Sequence, residues 1–163
     1  MKLFSGFSTR FLLKKILFLS IVLLFFVQNS KAVCPTCTVT NPALSGNYTF
    51  PENSVVCFTS NATFGDVIFS NNSTICISSG VTVIIQNNLT TTSGQNITFE
   101  VAGTLQFNQV PTINANLTAN ITSTGLLRSG TTGTNNFTFN GTNNILNNNG
   151  TVQVSVLQFT NAS

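Results

Sequence analysis

The 163-residue chain has no His and no Trp, one Met and one Tyr, and only 6% charged residues. Lacking His, it lacks the commonest general base and the usual activator of a nucleophile near neutral pH. From Val33 onward the charged side chains are Glu52, Asp66, Glu100 and Arg128, and no Lys occurs. One base against three acids gives that part a net charge of −2, although the whole chain carries +3. A basic nucleic-acid surface is therefore excluded as a reading of the pI of about 8.9. There is no P-loop, no dinucleotide fingerprint and no Asp-rich calcium loop. Paired-carboxylate chemistry needs two acids held together, and three acids scattered over Glu52, Asp66 and Glu100 do not suggest such a pair. The expectation is a protein that is not an enzyme, with no cofactor, no metal and no nucleic-acid partner.

The missing basic residues are concentrated in a leader. Lys2, Arg10, Lys14 and Lys15 precede an apolar run, Ile16 to Val27, and Ser30-Lys31-Ala32 places small residues where a signal peptidase reads them. A spanning helix needs about 20 apolar residues, so this shorter run suits a signal peptide better than an anchor. Residues 1–32 are therefore expected to be a signal-peptide helix cleaved after Ala32. An uncleaved leader would be the only tie to a membrane. The mature chain is expected to be secreted or held at the cell surface.

Export implies an oxidising compartment, where paired cysteines persist as disulfides. The four candidates are Cys34, Cys37, Cys57 and Cys76. Cys34-Pro35-Thr36-Cys37 has the spacing of a redox motif or half a zinc site. The first reading wants a βαβ context and the second wants further ligands at metal spacing. A structural staple is preferred. Val56 and Phe58 flank Cys57 as Ile75 and Ile77 flank Cys76, at an offset of 19 residues. If the apolar residues face inward, the two cysteines face outward on neighbouring strands ~4.8 Å apart. A Cys57–Cys76 bridge is reasonable at that separation, and pairing with Cys34 or Cys37 stays open.

The same alternation recurs. Ile75 and Ile77 are followed by Gly80, Val81 and Val83; Phe99 and Val101, 24 residues later, are followed by Gly103, Leu105 and Phe107. Phe64 lies 19 residues before Val83, and Ile121, Gly125 and Leu127 lie 22 after Phe99, Gly103 and Leu105. Strand, corner, strand at a period of 20–50 residues indicates a stacked architecture. The fold class expected is all-β, a parallel β-solenoid of the right-handed β-helix kind, with irregular coils of about 19–24 residues. A hairpin-built sandwich is the alternative, with turns every ~8–12 residues. The domains expected are the signal peptide, a cap segment over 33–50 containing Cys34 and Cys37, and the solenoid over 51–163. No C-terminal cap is visible, so a stack cut short is expected. Asn140-Gly141 and Asn149-Gly150 read as turns that exploit positive φ.

Many Asn-x-Ser/Thr triplets occur, including those that begin at Asn47, Asn61, Asn72, Asn88, Asn96, Asn116, Asn120, Asn136, Asn140 and Asn149. A chain this rich in Asn and Thr produces them by chance, and that reading is preferred to glycosylation. Thr36/Thr38/Thr40, Thr90/Thr92, Thr122/Thr124 and Thr132/Thr134 suggest ice binding, but they do not recur at the coil period.

Val56-Cys57-Phe58, Ile75-Cys76-Ile77 and the Asn/Thr-rich run around them, from Cys34 to Gly80, resemble the opening β-helical part of adhesin-like surface proteins of gliding, flavobacterium-type bacteria. The resemblance implies export, surface display or release, and adhesion. Such proteins end in a sorting domain, which this sequence does not show, so a fragment or a short secreted relative is expected. The function expected is an adhesin-like module presenting flat Asn/Thr-rich faces to a glycan or other cell-surface polymer. The alternative is an ice- or surface-binding solenoid that uses Thr rows.

Overall fold

The computed structural model describes residues 34–42 and 44–160. The expected signal peptide and its cleavage point lie outside these residues. Among the described residues every element is a strand. In chain order they are β1 (Val39–Thr40), β2 (Ser45–Phe50), β3 (Val55–Phe58), β4 (Ala62–Phe69), β5 (Ser73–Ile77), β6 (Thr82–Ile85), β7 (Leu89–Thr90) and β8 (Asn96–Val101). There follow β9 (Thr104–Phe107), β10 (Thr112–Ile113), β11 (Asn116–Ile121), β12 (Leu126–Ser129), β13 (Phe137–Phe139), β14 (Ile145–Asn148), β15 (Thr151–Gln153) and β16 (Leu157–Phe159).

These strands form three parallel sheets that wind into a β-solenoid of about five turns. Sheet A runs β1-β3-β5-β8-β11-β14. Sheet B runs β15-β12-β9-β6-β4-β2, with β7 also paired to β4, and sheet C runs β10-β13-β16. Every strand pairs with a strand from a neighbouring turn, never with its own successor through a hairpin. The sandwich alternative is thereby overturned, because parallel neighbours require a crossover.

Side-chain alternation sorts each strand. Val56, Ile75, Phe99 and Ala119 make one inward file of sheet A, and Phe58, Ile77, Val101 and Ile121 make the next. Ala62, Val83, Leu105 and Leu127 face them from sheet B. All are buried, and each large apolar side chain so placed contributes ~1.5–3 kcal/mol. Aromatic rings run through this core: Phe50 stacks on Phe69 at 4.2 Å, Phe69 meets Phe99 at 5.5 Å, and Phe107 meets Phe137 at 5.5 Å.

Several registers differ from those expected. Phe99 pairs with Ala119 and Val101 with Ile121, an offset of 20, whereas Leu105 pairs with Leu127 at 22 as expected. Ala62, not Phe64, pairs with Val83; Phe64 pairs with Ile85. Val83, not Val81, pairs with Leu105. Asp66 lies inside β4, where an extra residue opposite Asn47 makes a bulge. The amide of Asp66 donates to Asn47 Oδ1 at 2.9 Å and so closes that bulge.

Within the segment expected to be a cap, β1 and β2 are in step with the stack. β1 pairs with β3, and β2 pairs with β4 at five positions. The corners are held by close backbone approach. A Cβ on Gly125 would stand 2.1 Å from the Val101 carbonyl oxygen, and one on Gly150 would stand 2.1 Å from that of Thr122. Gly141 and Gly150 therefore serve close packing, not the positive φ expected of their Asn-Gly turns; neither has positive φ.

Candidate functional site

Sheet A carries the features that could do chemistry or bind. Cys57 on β3 and Cys76 on β5 are direct register partners and point away from the core. They are nevertheless only 2% and 0% exposed. The covering is the N-terminal strap, because Cys37 is bonded to Cys57 and Cys34 to Cys76, with Cα separations of 5.7 and 5.8 Å. Both separations suit a disulfide. The direct Cys57–Cys76 bridge expected from strand spacing does not form, since the strap recruits each cysteine instead. The strap crosses the outer side of sheet A from β5 to β3 and then adds β1 beside β3. The Sγ atoms of Cys34, Cys57 and Cys76 lie within 4.8 Å of one another. No cysteine is free.

Beyond the strap the outer face of sheet A is built of files that run across the strands. Thr74, Thr98 and Thr118 are consecutive partners on β5, β8 and β11, and all three are half-buried. The next outward file is Cys76, Glu100, Asn120 and Asn147. Asn120 Nδ2 donates to Glu100 Oε1 at 2.6 Å, and Asn147 Nδ2 donates to Asn120 Oδ1 at 2.8 Å. On the other side of the threonines, Asn116 Nδ2 donates to Asn96 Oδ1 at 3.2 Å. Each amide both donates and accepts, so asparagines at equivalent positions join turn to turn. Burial pushes the Glu100 carboxyl above the usual carboxylate range, partly offset by the Asn120 hydrogen bond.

The Thr groups picked out in the sequence form no such array. Thr90 pairs with Ile68, and Thr122 and Thr124 donate to the carbonyls of Val101 and Ala102 at a corner. The file Thr74–Thr98–Thr118 was missed because its members are 24 and 20 residues apart.

The carboxylates are placed apart. Glu52 is exposed in the turn before β3, Asp66 sits in sheet B, and Glu100 sits in sheet A. Asp66 Oδ1 accepts from the backbone and side-chain nitrogens of Asn88 at 3.1 and 3.0 Å. Arg128 donates through Nη2 to Gln106 Oε1 on the outer side of sheet B. Asn47, Asn61, Asn72, Asn88, Asn96, Asn116, Asn120 and Asn140, each heading an Asn-x-Ser/Thr triplet, use side-chain atoms to bond a neighbouring turn. A notch of about 200 Å³ lies elsewhere, walled by Asn87, Asn88, Leu89, Gln109, Val110 and Pro111. Sites for drug-sized ligands are larger, ~300–1,000 Å³.

No protein-family model, curated protein or solved structure matches the chain.

Proposed function

We propose that the protein is an exported, non-catalytic binding module of adhesin-like type, which meets a neutral glycan polymer on the outer face of sheet A. The observation that carries this reading is the set of cross-turn files there. Thr74–Thr98–Thr118 lies between Asn96–Asn116 and Glu100–Asn120–Asn147, so hydroxyls repeat over three successive turns, between Val55 and Ile145 in the same file, and amides repeat over two. A polymer laid along the solenoid axis would meet the same group once per strand spacing, ~4.8 Å. Hydroxyls and amides both donate and accept, which suits a partner made of hydroxyls. Glu100 is the one charged group in these files, which favours a neutral polymer over an anionic one.

The two disulfides accord with an oxidising, extracellular setting. They also give the cysteines that carry the adhesin-like resemblance a mechanical role, which is to lash the strap across β3 and β5. The direct test is retention of the disulfide-intact chain on a panel of insoluble polysaccharides and cell-wall preparations, with a glycan array in parallel. Retention on at least one neutral polymer is expected. Absence of binding on every support would leave only a scaffold role.

The threonine file also favours a second reading, ice binding, which ranks below the first because its neighbouring file is Cys, Glu and Asn instead of a second Thr row. Unchanged ice-crystal shape in the presence of the chain would end that reading.

A further inference from the structure

The last described turn of the solenoid is built like the others but has a neighbour on one side only. β14, β15 and β16 stand at the ends of sheets A, B and C, and among the described residues each pairs with a single strand. We propose that this edge is an interface for a second copy of the chain, joined through the same edge about a two-fold axis. The inference does not depend on the polymer-binding reading.

Four observations carry it. First, the inward positions of this turn are in register with core residues yet are left uncovered. Leu146, Val152, Leu157 and Phe159 pair with Ala119, Leu127, Phe137 and Phe139, which are all 0% exposed. Leu146, Val152 and Leu157 are only half-buried, and Phe159, whose ring stacks on Phe139 at 4.7 Å, is 43% exposed. The core is thus open to water on that side, and covering it is favourable. Second, nothing on this edge discourages pairing. From Ser129 onward the sequence has no charged residue and no Pro, which natural sheets use to blunt an edge. Third, the opposite end is blunted. Pro51 and the exposed Glu52 follow β2, a bulge interrupts its pairing with β4, and two disulfides pin the strap that leads into β1. A head-to-tail contact would have to use that end, and unless its rotation closed a ring it would run on into a filament. Fourth, the edge dictates its partner: three strand edges around an apolar centre, without charge. The same edge of a second copy offers these. A two-fold axis lying in the plane of the edge reverses the course of the chain, so facing strands run antiparallel. One strand meets its own copy and the other two exchange partners. Such an isologous contact closes at two copies and leaves neither edge open.

The test uses the disulfide-intact chain. Sedimentation velocity over a range of concentrations should show monomer giving way to dimer, with no larger species. Hydrogen–deuterium exchange at the lowest and highest of these concentrations should show added protection in β14, β15 and β16 and none in β1 or β2. Phe159→Lys then sets an inward charge on the edge, a device that blocks strand pairing. The dimer dissociation constant should rise at least tenfold in that variant, while circular dichroism reports unchanged strand content. The exchange pattern needs no variant, so it decides the matter even where Phe159→Lys fails to fold. Monomer at every concentration would overturn the proposal and leave the edge to a partner of another kind. Growth past the dimer, or added protection in β1 or β2, would overturn it in favour of a head-to-tail contact. An unchanged dissociation constant in folded Phe159→Lys would overturn it as well.

Discussion

Removing the strap's disulfides tests how much of the stack depends on it. The Cys37–Cys57 bridge spans 20 residues and Cys34–Cys76 spans 42. In the chain-entropy model a loop of 20 contributes ~3.3 kcal/mol and one of 42 ~4 kcal/mol at 25 °C. The short loop lies inside the long one, so once it is closed the outer bridge closes only about 22 further residues. That reduces its contribution to ~3.4 kcal/mol and the joint effect to ~6.7 kcal/mol. Domains of this size have stabilities of ~5–15 kcal/mol. The variant Cys34→Ala with Cys76→Ala should therefore lose ~3 kcal/mol. In urea, with a slope of ~1.5–2 kcal/mol/M, its midpoint should fall by ~2 M, with a somewhat steeper slope because the unfolded chain loses a cross-link. Replacing all four cysteines by Ala should lower it further, toward unfolding in plain buffer. Equilibrium unfolding followed by circular dichroism is the assay. A four-Ala variant as stable as the two-Ala variant would refute the reasoning, because it would mean that the Cys37–Cys57 bridge constrains nothing once Cys34–Cys76 is gone.

Three further outcomes follow from the packing and charge. Phe99→Ala empties a fully buried site between Phe69 and Phe107 and should cost ~3–5 kcal/mol, well above Phe159→Ala, whose ring is 43% exposed; urea melts compare them. Gly125→Ala puts a Cβ 2.1 Å from the Val101 carbonyl oxygen, so a loss of at least ~1–3 kcal/mol is expected, with a lower melting temperature as readout. Glu100 has its folded pKa raised by burial, so it favours folding below the ordinary carboxylate range and loses that contribution as pH rises through the raised value. Glu100→Gln should accordingly match the parent at low pH and exceed it at neutral pH, since Gln keeps an oxygen for Asn120; melting temperatures across pH 3 to 8 would show a constant difference if the reasoning fails.

How much of this was legible depends on residue size and loop length. The partnership of Cys57 with Cys76 and of Ile75 with Phe99 could be read directly, because large apolar residues flank the same position in each turn. The next turn was misaligned because Phe99 faces Ala119, a side chain too small to stand out beside Leu117 and Ile121. The four cysteines could be named but not paired: strand spacing pointed to Cys57 with Cys76, while the strap that competes for both has no periodic pattern. The bulge at Asp66 and the file Thr74–Thr98–Thr118 were hidden for a common reason. Turns of unequal length move equivalent positions in the sequence while the backbone hydrogen bonds keep them level in space.

The central claim is that the outer face of sheet A binds a neutral polymer. Thr98 and Thr104 are both half-buried threonines on inner strands of their sheets, Thr98 on β8 in sheet A and Thr104 on β9 in sheet B. The decisive measurement is retention of Thr98→Lys and Thr104→Lys on whichever polysaccharide holds the parent chain, at matched folded fraction. Loss of at least tenfold in affinity, or ~1.4 kcal/mol, is expected for Thr98→Lys, with Thr104→Lys near the parent. Equal retention of the two variants would contradict the claim.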